Sequence, residues 1–283
     1  MTFLAIILAV LLLQAWGTAE RVHSDDWFRR WQSRVSGWGL AGASGLAVLV
    51  LLPAVAASLL LDMVEPVLFG LVWLLLAALL LLYSFGRGDF QASMGRYRGH
   101  AYSGDFEGAY LGAREEFGWD DSAEAPDTEQ EVHAMIQRAL LYEGLQRWFC
   151  VLFYFVLLGP AGALVYRLIQ LCRDSFEPGT VERWLFLLDW VPARLLAATF
   201  AVTGDFIGSK DTLLTGLRDH GEPAGALLYR VGAAALGPES TWAASDDSGF
   251  GPAAAAQNRE FDALLSRSAV CWIVIFSLLV LLF

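Results

Sequence analysis

The chain has 283 residues, 56% hydrophobic and only 17% charged, with a formal net charge of −11. Soluble domains carry roughly 25% charged residues, so this balance, with a mean hydropathy of +0.49, excludes an ordinary soluble fold. Nineteen bases against 30 acids exclude nucleic acid as a partner, because phosphate backbones demand basic surface; an anionic ligand held locally by a few arginines remains open.

The apolar residues come in blocks, as a bilayer requires. Phe3 to Leu13 is an unbroken apolar run. It resembles the core of a secretory signal, but no basic segment precedes it, so we read an uncleaved first transmembrane helix over 3–16. The second span is expected at 38–61, with Pro53 inside it and Gly42 and Gly45 as close-packing positions. A tight turn at Asp62–Pro66 leads into the third span at 67–85, so these two form a helical hairpin.

A polar stretch follows over 86–147. Thr128 and Glu131 fit a capping box, which predicts a helix from there through Arg147 with Val132, Ile136, Leu140 and Leu141 on one face. The fourth span is expected at 148–171, interrupted by Gly159-Pro160, and the fifth at 184–202. A second polar stretch, 204–267, is partly helical near Ala224–Leu236, and the last span is expected at 268–283. Base-rich segments follow spans one, three and five. The positive-inside rule then places both termini outside and the two polar stretches in the cytoplasm. The expected fold is all-α: a polytopic membrane bundle of about six spans with a helical cytoplasmic cap, undivided into domains. No internal repeat is evident.

Chemistry-bearing residues are few. The three cysteines, Cys150, Cys172 and Cys271, lie in or beside apolar blocks without a CxxC pair, and the four histidines are scattered. We therefore expect no metal site and no disulfide set. No GxSxG or GxxxxGK[ST] occurs. The acids between Asp120 and Glu131 could attract magnesium, but such a run is more often a solvated linker.

The strongest signal is Leu188-Asp189-Trp190-Val191-Pro192-Ala193-Arg194-Leu195 in the fifth span. A lone charge at mid-membrane costs at least ~2.5–3.5 kcal/mol, so such residues are functional by default. A structural ion pair is the competing account. Pro192 removes its own N–H and frees the carbonyl of Leu188, and we expect Asp189 and Arg194 to line a polar cavity that satisfies it. Glu143 and Arg147, spaced i, i+4, would stand at its cytoplasmic mouth. Asp105, after Gly104, is a further ligand candidate in a loop whose backbone N–H groups could face an anion. The candidate ligand-binding residues are thus Asp105, Glu143, Arg147, Asp189 and Arg194. Gly104, Gly159, Pro160, Trp190 and Pro192 shape the backbone around them.

The run Val151-Leu152-Phe153-Tyr154-Phe155-Val156-Leu157-Leu158-Gly159-Pro160, then Tyr166-Arg167, then Leu188 to Leu195 resembles the AmpE family, membrane proteins linked to β-lactamase induction. The order of elements matches as well. That resemblance implies a bacterial inner-membrane regulatory or sensory protein responding to cell-wall metabolism. The family is similar in turn to the CobD/CbiB cobinamide synthases, which carry a comparable Asp-aromatic-x-Pro-Ala-Arg-Leu run. This implies an alternative reading as a membrane enzyme forming amides, with ATP and magnesium entering only through that likeness. The chain departs from the synthases in reading Tyr142-Glu143-Gly144-Leu145-Gln146-Arg147 where they have a Glu-Asn pair, and Gln14 where they have an acid. A small-molecule transporter is the third reading, suggested by proline-broken spans. The expected partners are the lipid bilayer and an anionic or cell-wall-derived small molecule. The residues themselves name no cofactor and no protein partner.

Overall fold

The computed structural model describes residues 2–16, 25–39, 42–86, 89–119, 126–176, 179–237 and 249–282. These residues form α-helices joined by short turns, with no strand among them. The helices are α1 (Thr2–Trp16), α2 (Asp26–Ser36), α3 (Gly42–Val64), α4 (Leu71–Ser84), α5 (Phe90–Ser103), α6 (Phe106–Phe117), α7 (Glu129–Gly144), α8 (Val151–Leu171), α9 (Thr180–Thr203), α10 (Phe206–Arg218), α11 (Ala224–Leu236) and α12 (Phe250–Leu282).

Among the described residues, five helical stretches are long and apolar enough, by length and composition, to cross a membrane: Gly42–Val64, Val67–Ser84, Glu129–Leu171, Thr180–Thr203 and Phe250–Leu279. The protein is therefore a polytopic membrane helical bundle. The expected first span is present as a shorter apolar helix, α1, with 15 described residues. Several boundaries differ from those expected. Helix α3 runs on to Val64, and the tight connector is the 3₁₀ turn Val67–Gly70, in which Leu68 and Phe69 both have positive φ. The last span is the end of a helix of 33 residues that begins at Phe250, well inside the expected polar stretch.

The chain forms two compact units. One comprises residues 1–88, 146–192 and 273–283; the other comprises 89–145 and 193–272. In the first, α4 packs against α1, α3 and α8, and α2 lies along α3. Ala5 and Ala9, one helical turn apart on α1, are fully buried, so small side chains make the close contact. In the second, α7 packs against α5, α6 and α11, and α10 against α11. The Thr128 cap forms, with the return bond moved one residue back: Glu131 N–H donates to Thr128 Oγ1 at 3.2 Å and Asp127 N–H donates to Glu131 Oε2 at 3.0 Å, and Val132, Ile136, Leu140 and Leu141 are all buried. Gly225 marks the α11–α7 contact, where an added Cβ would meet the Arg138 carbonyl oxygen at 2.7 Å.

Prolines within helices leave a carbonyl four residues earlier without its helical donor. Twice in the first unit an aromatic side chain supplies one. Pro53 frees the carbonyl of Leu49, and Trp31 Nε1–H donates to it at 3.1 Å. Pro192 frees the carbonyl of Leu188, and the Tyr154 hydroxyl donates to it at 2.9 Å. At the expected interruption Gly159-Pro160 the chain turns back: Gly159 takes φ 75°, ψ −169°, a conformation open to glycine almost alone, and Gln170 Nε2–H reaches the Gln146 carbonyl at 3.4 Å, so the expected fourth span is two half-helices folded against each other rather than one straight crossing.

Candidate functional site

Asp189 lies on α9 with 1% of its surface exposed. Three donors surround its carboxylate. Gln146 Nε2–H donates to Oδ2 at 2.7 Å, and the Tyr166 hydroxyl donates to Oδ1 at 2.6 Å. The Cys150 thiol lies 3.4 Å from Oδ1 as a weak third donor. Gln146, Cys150 and Tyr166 are themselves buried. Burying a carboxylate is costly unless hydrogen bonds replace its water, and this set meets that demand.

The local backbone explains how these donors converge. Helices α7 and α8 are joined through a π-helical turn over Leu145–Cys150. Such a turn inserts a residue and re-aims the side chains it carries, and it carries both Gln146 and Cys150. Gln146 has further partners: Arg173 Nη2–H donates to its Oε1 at 3.1 Å, and Gln170 Nε2–H donates to its backbone carbonyl at 3.4 Å. Arg173 is exposed. A continuous line of hydrogen bonds therefore runs from an exposed guanidinium through Gln146 and the buried Asp189 to Tyr166. Tyr154 stacks on Tyr166, with ring centroids 5.4 Å apart and 21° between planes, and its hydroxyl serves the Leu188 carbonyl. That carbonyl, expected to need a polar cavity, is satisfied by a side chain.

The other candidates have surroundings of their own. Arg194 is buried, with 6% exposed, and its Nη2–H donates to the Asp219 carbonyl at 2.5 Å, within the second unit. Asp189 and Arg194 thus each draw these partners from their own unit. Glu143 lies at the end of α7 and Arg147 in the π turn; both are partly buried. Asp105 is solvent-exposed and caps α6, accepting from Gly108 N–H at 2.9 Å, with His100 Nδ1 at 2.9 Å from its other oxygen. Those two hydrogen bonds, Gly108 first, hold its carboxyl below the usual carboxylate range. Gly104 stands before it with φ 72° as the left-handed cap of α5.

Asp205 caps α10 in the same way, accepting from Gly208 N–H at 3.1 Å. Gly104-Asp105-Phe106-x-Gly108 and Gly204-Asp205-Phe206-x-Gly208 are therefore one helix-start device used twice, a local repeat not evident in the sequence reading. His133, another residue without an evident partner in sequence, is buried between Tyr97 and Gln257. Among the described residues no group of three or more His, Cys, Asp or Glu side chains is placed to hold a metal. The acids 120–125 lie outside the described residues.

The sequence profile described as regulatory signalling modulator protein AmpE matches residues 1–240. The chain belongs to the AmpE family. This AmpE-family chain has no match among curated proteins and none among solved structures. Membership and the five long apolar helices together make it a multi-pass regulatory membrane protein. The Leu188–Leu195 run and its buried partners lie within the matched residues.

Proposed function

We propose that this protein acts in the bacterial inner membrane as a modulator of β-lactamase induction, and that the Asp189 node is the element through which it signals. The family assignment supports the regulatory role. The observation that carries the Asp189 part is the line of hydrogen bonds from exposed Arg173 through Gln146 to a carboxylate buried to 1%. An anionic, cell-wall-derived ligand that drew Arg173 away would remove a donor from Gln146, and Gln146 is one of the groups that keeps Asp189 tolerable in the bilayer. A two-state arrangement of this kind has differential contacts with a ligand, which any ligand-driven signal needs.

The test is β-lactamase induction in a host with an inducible chromosomal enzyme and its own AmpE-family gene deleted. Wild-type protein should restore the induction response. Asp189→Asn and Arg173→Gln, each at wild-type membrane abundance, should not. Induction unaffected by the deletion would overturn the regulatory reading. Full complementation by both variants would leave the regulator and remove the Asp189 line from its mechanism. The orientation proposed from arginine placement is checked with reporter fusions. One joined after Arg114 should report cytoplasm.

A further inference from the structure

A second feature of the first unit lies apart from Asp189. Helix α2 is amphipathic, with Phe28 and Val35 buried. Trp27, Arg30, Trp31 and Arg34, at i, i+3, i+4 and i+7, share one stripe. That stripe forms one wall of a groove of about 700 Å³. Pro53 and Ala56 of α3, Tyr83 of α4 and Leu164 of α8 line the rest. The volume lies within the range of small-molecule sites, and the lining away from the arginines is apolar.

Three observations specify an occupant. First, the indole N–H groups are already used inside the protein: Trp27 donates to the Tyr83 hydroxyl at 3.1 Å and Trp31 to the Leu49 carbonyl at 3.1 Å. The rings are thereby fixed and offer the groove their hydrocarbon faces. Second, the charge at the rim is positive. Arg30 and Arg34 are exposed, and Arg30 Nε–H donates to a backbone carbonyl, that of Asp26. The neighbouring acid Asp25 is drawn inward, accepting from the Tyr83 hydroxyl at 3.0 Å and lying 3.7 Å from the Arg167 guanidinium. Third, Leu52 at the groove's edge is 50% exposed and continues into exposed Leu51 and Val55 on α3, one of the helices apolar enough to cross a membrane. The groove thus joins a cationic rim to the lipid-facing surface.

We propose that this groove binds one anionic phospholipid of the surrounding bilayer. Its phosphate lies between Arg30 and Arg34, and an acyl chain runs over Trp31, Pro53 and Ala56 onto α3. Tryptophans with paired arginines at the headgroup level are the chemistry of such a site. A soluble anion would leave the apolar lining wet, and a zwitterionic lipid would leave the arginine pair unbalanced.

The experiment is native mass spectrometry of the full-length protein released from mild detergent with added phosphatidylglycerol or phosphatidylcholine. One phosphatidylglycerol should be retained under conditions that strip phosphatidylcholine, and inorganic phosphate should not displace it. Arg30→Gln with Arg34→Gln should weaken retention roughly thirtyfold, about one kcal/mol for each charge near a lipid surface. Ala56→Trp, which fills the groove and keeps both arginines, should abolish retention, and it decides alone if the double variant does not fold. Equal retention of the two lipids, displacement by phosphate, or wild-type retention by Ala56→Trp overturns the proposal.

Discussion

Replacing Tyr154 with Phe removes one hydroxyl and keeps the ring, so the stack on Tyr166 at 5.4 Å and the edge contact with Phe153 at 5.2 Å both survive. What is lost is the donor to the Leu188 carbonyl. Pro192 has no N–H to offer in its place, so that carbonyl is left bare in a span. An unsatisfied buried acceptor costs about 1–3 kcal/mol. Hydrogen bonds measured within membranes are worth ~0.6 kcal/mol on average and ~1.7 at most, so the expected destabilisation is about 1 kcal/mol. The partner substitution Pro192→Ala returns an N–H to the backbone, within reach of the same carbonyl. In that background Tyr154→Phe should cost close to nothing. The double-mutant cycle should therefore show a coupling of about 1 kcal/mol, well above the ~0.3–0.5 kcal/mol within which independent sites add. Reversible unfolding of purified protein in mixed micelles, followed by helical circular dichroism, gives the four free energies. Additive effects would refute the claim that Tyr154 replaces the donor Pro192 removes.

Gly159→Ala should destabilise by about 1–3 kcal/mol in the same assay. No atom lies within 4 Å of the added Cβ, so the whole effect is backbone strain at φ 75°, and a neutral result would show that the break at Pro160 relaxes freely. Asp105 gives a pH signature. Its carboxyl is held low in the folded chain by Gly108 and then His100. Protection of the first amides of α6 should therefore be complete above the ordinary carboxylate range and be lost as pH falls through the lowered value. Hydrogen exchange across acid pH measures this. Asp105→Asn keeps a capping oxygen and should flatten the response; an unchanged pH dependence would assign it to another group.

Much of this fold is legible in the sequence because hydrophobic blocks and helix punctuation are local properties. The Thr128–Glu131 box, the apolar face of α7 and the break at Gly159 follow from residues within one or two turns of each other. The boundaries that moved depend on something else. Val64 extends α3 because nothing in Asp62-Met63-Val64 forbids a helix, and Pro66 stops it only afterwards. The start of α12 at Phe250 is hidden because a run of Ala with Gln257, Asn258 and Arg259 is helix-forming but not apolar, so a hydropathy criterion sees only its second half.

The candidate site divides along the same line. Asp189, Arg194 and Pro192 stand out in sequence because a charge and an imino acid in an apolar span violate local rules, and such violations are where function collects. Their partners stand out far less. Gln146, Cys150 and Tyr166 break no rule where they are, and the π turn that aims the first two has no sequence signature. The demand for them was nonetheless readable. A proline at 192 orphans the carbonyl of Leu188, a carboxylate at 189 needs several donors, and water is excluded from both by the surrounding leucines. In this span the donors are Tyr154, Gln146 and Tyr166, all from the α7–α8 stretch. Pro53 and Trp31 repeat the rule on α3, with an aromatic N–H in place of a phenol. Wherever a proline interrupts a helix within a bilayer, the residue to look for next is the side-chain donor that meets its freed carbonyl, and that donor fixes which helix packs there.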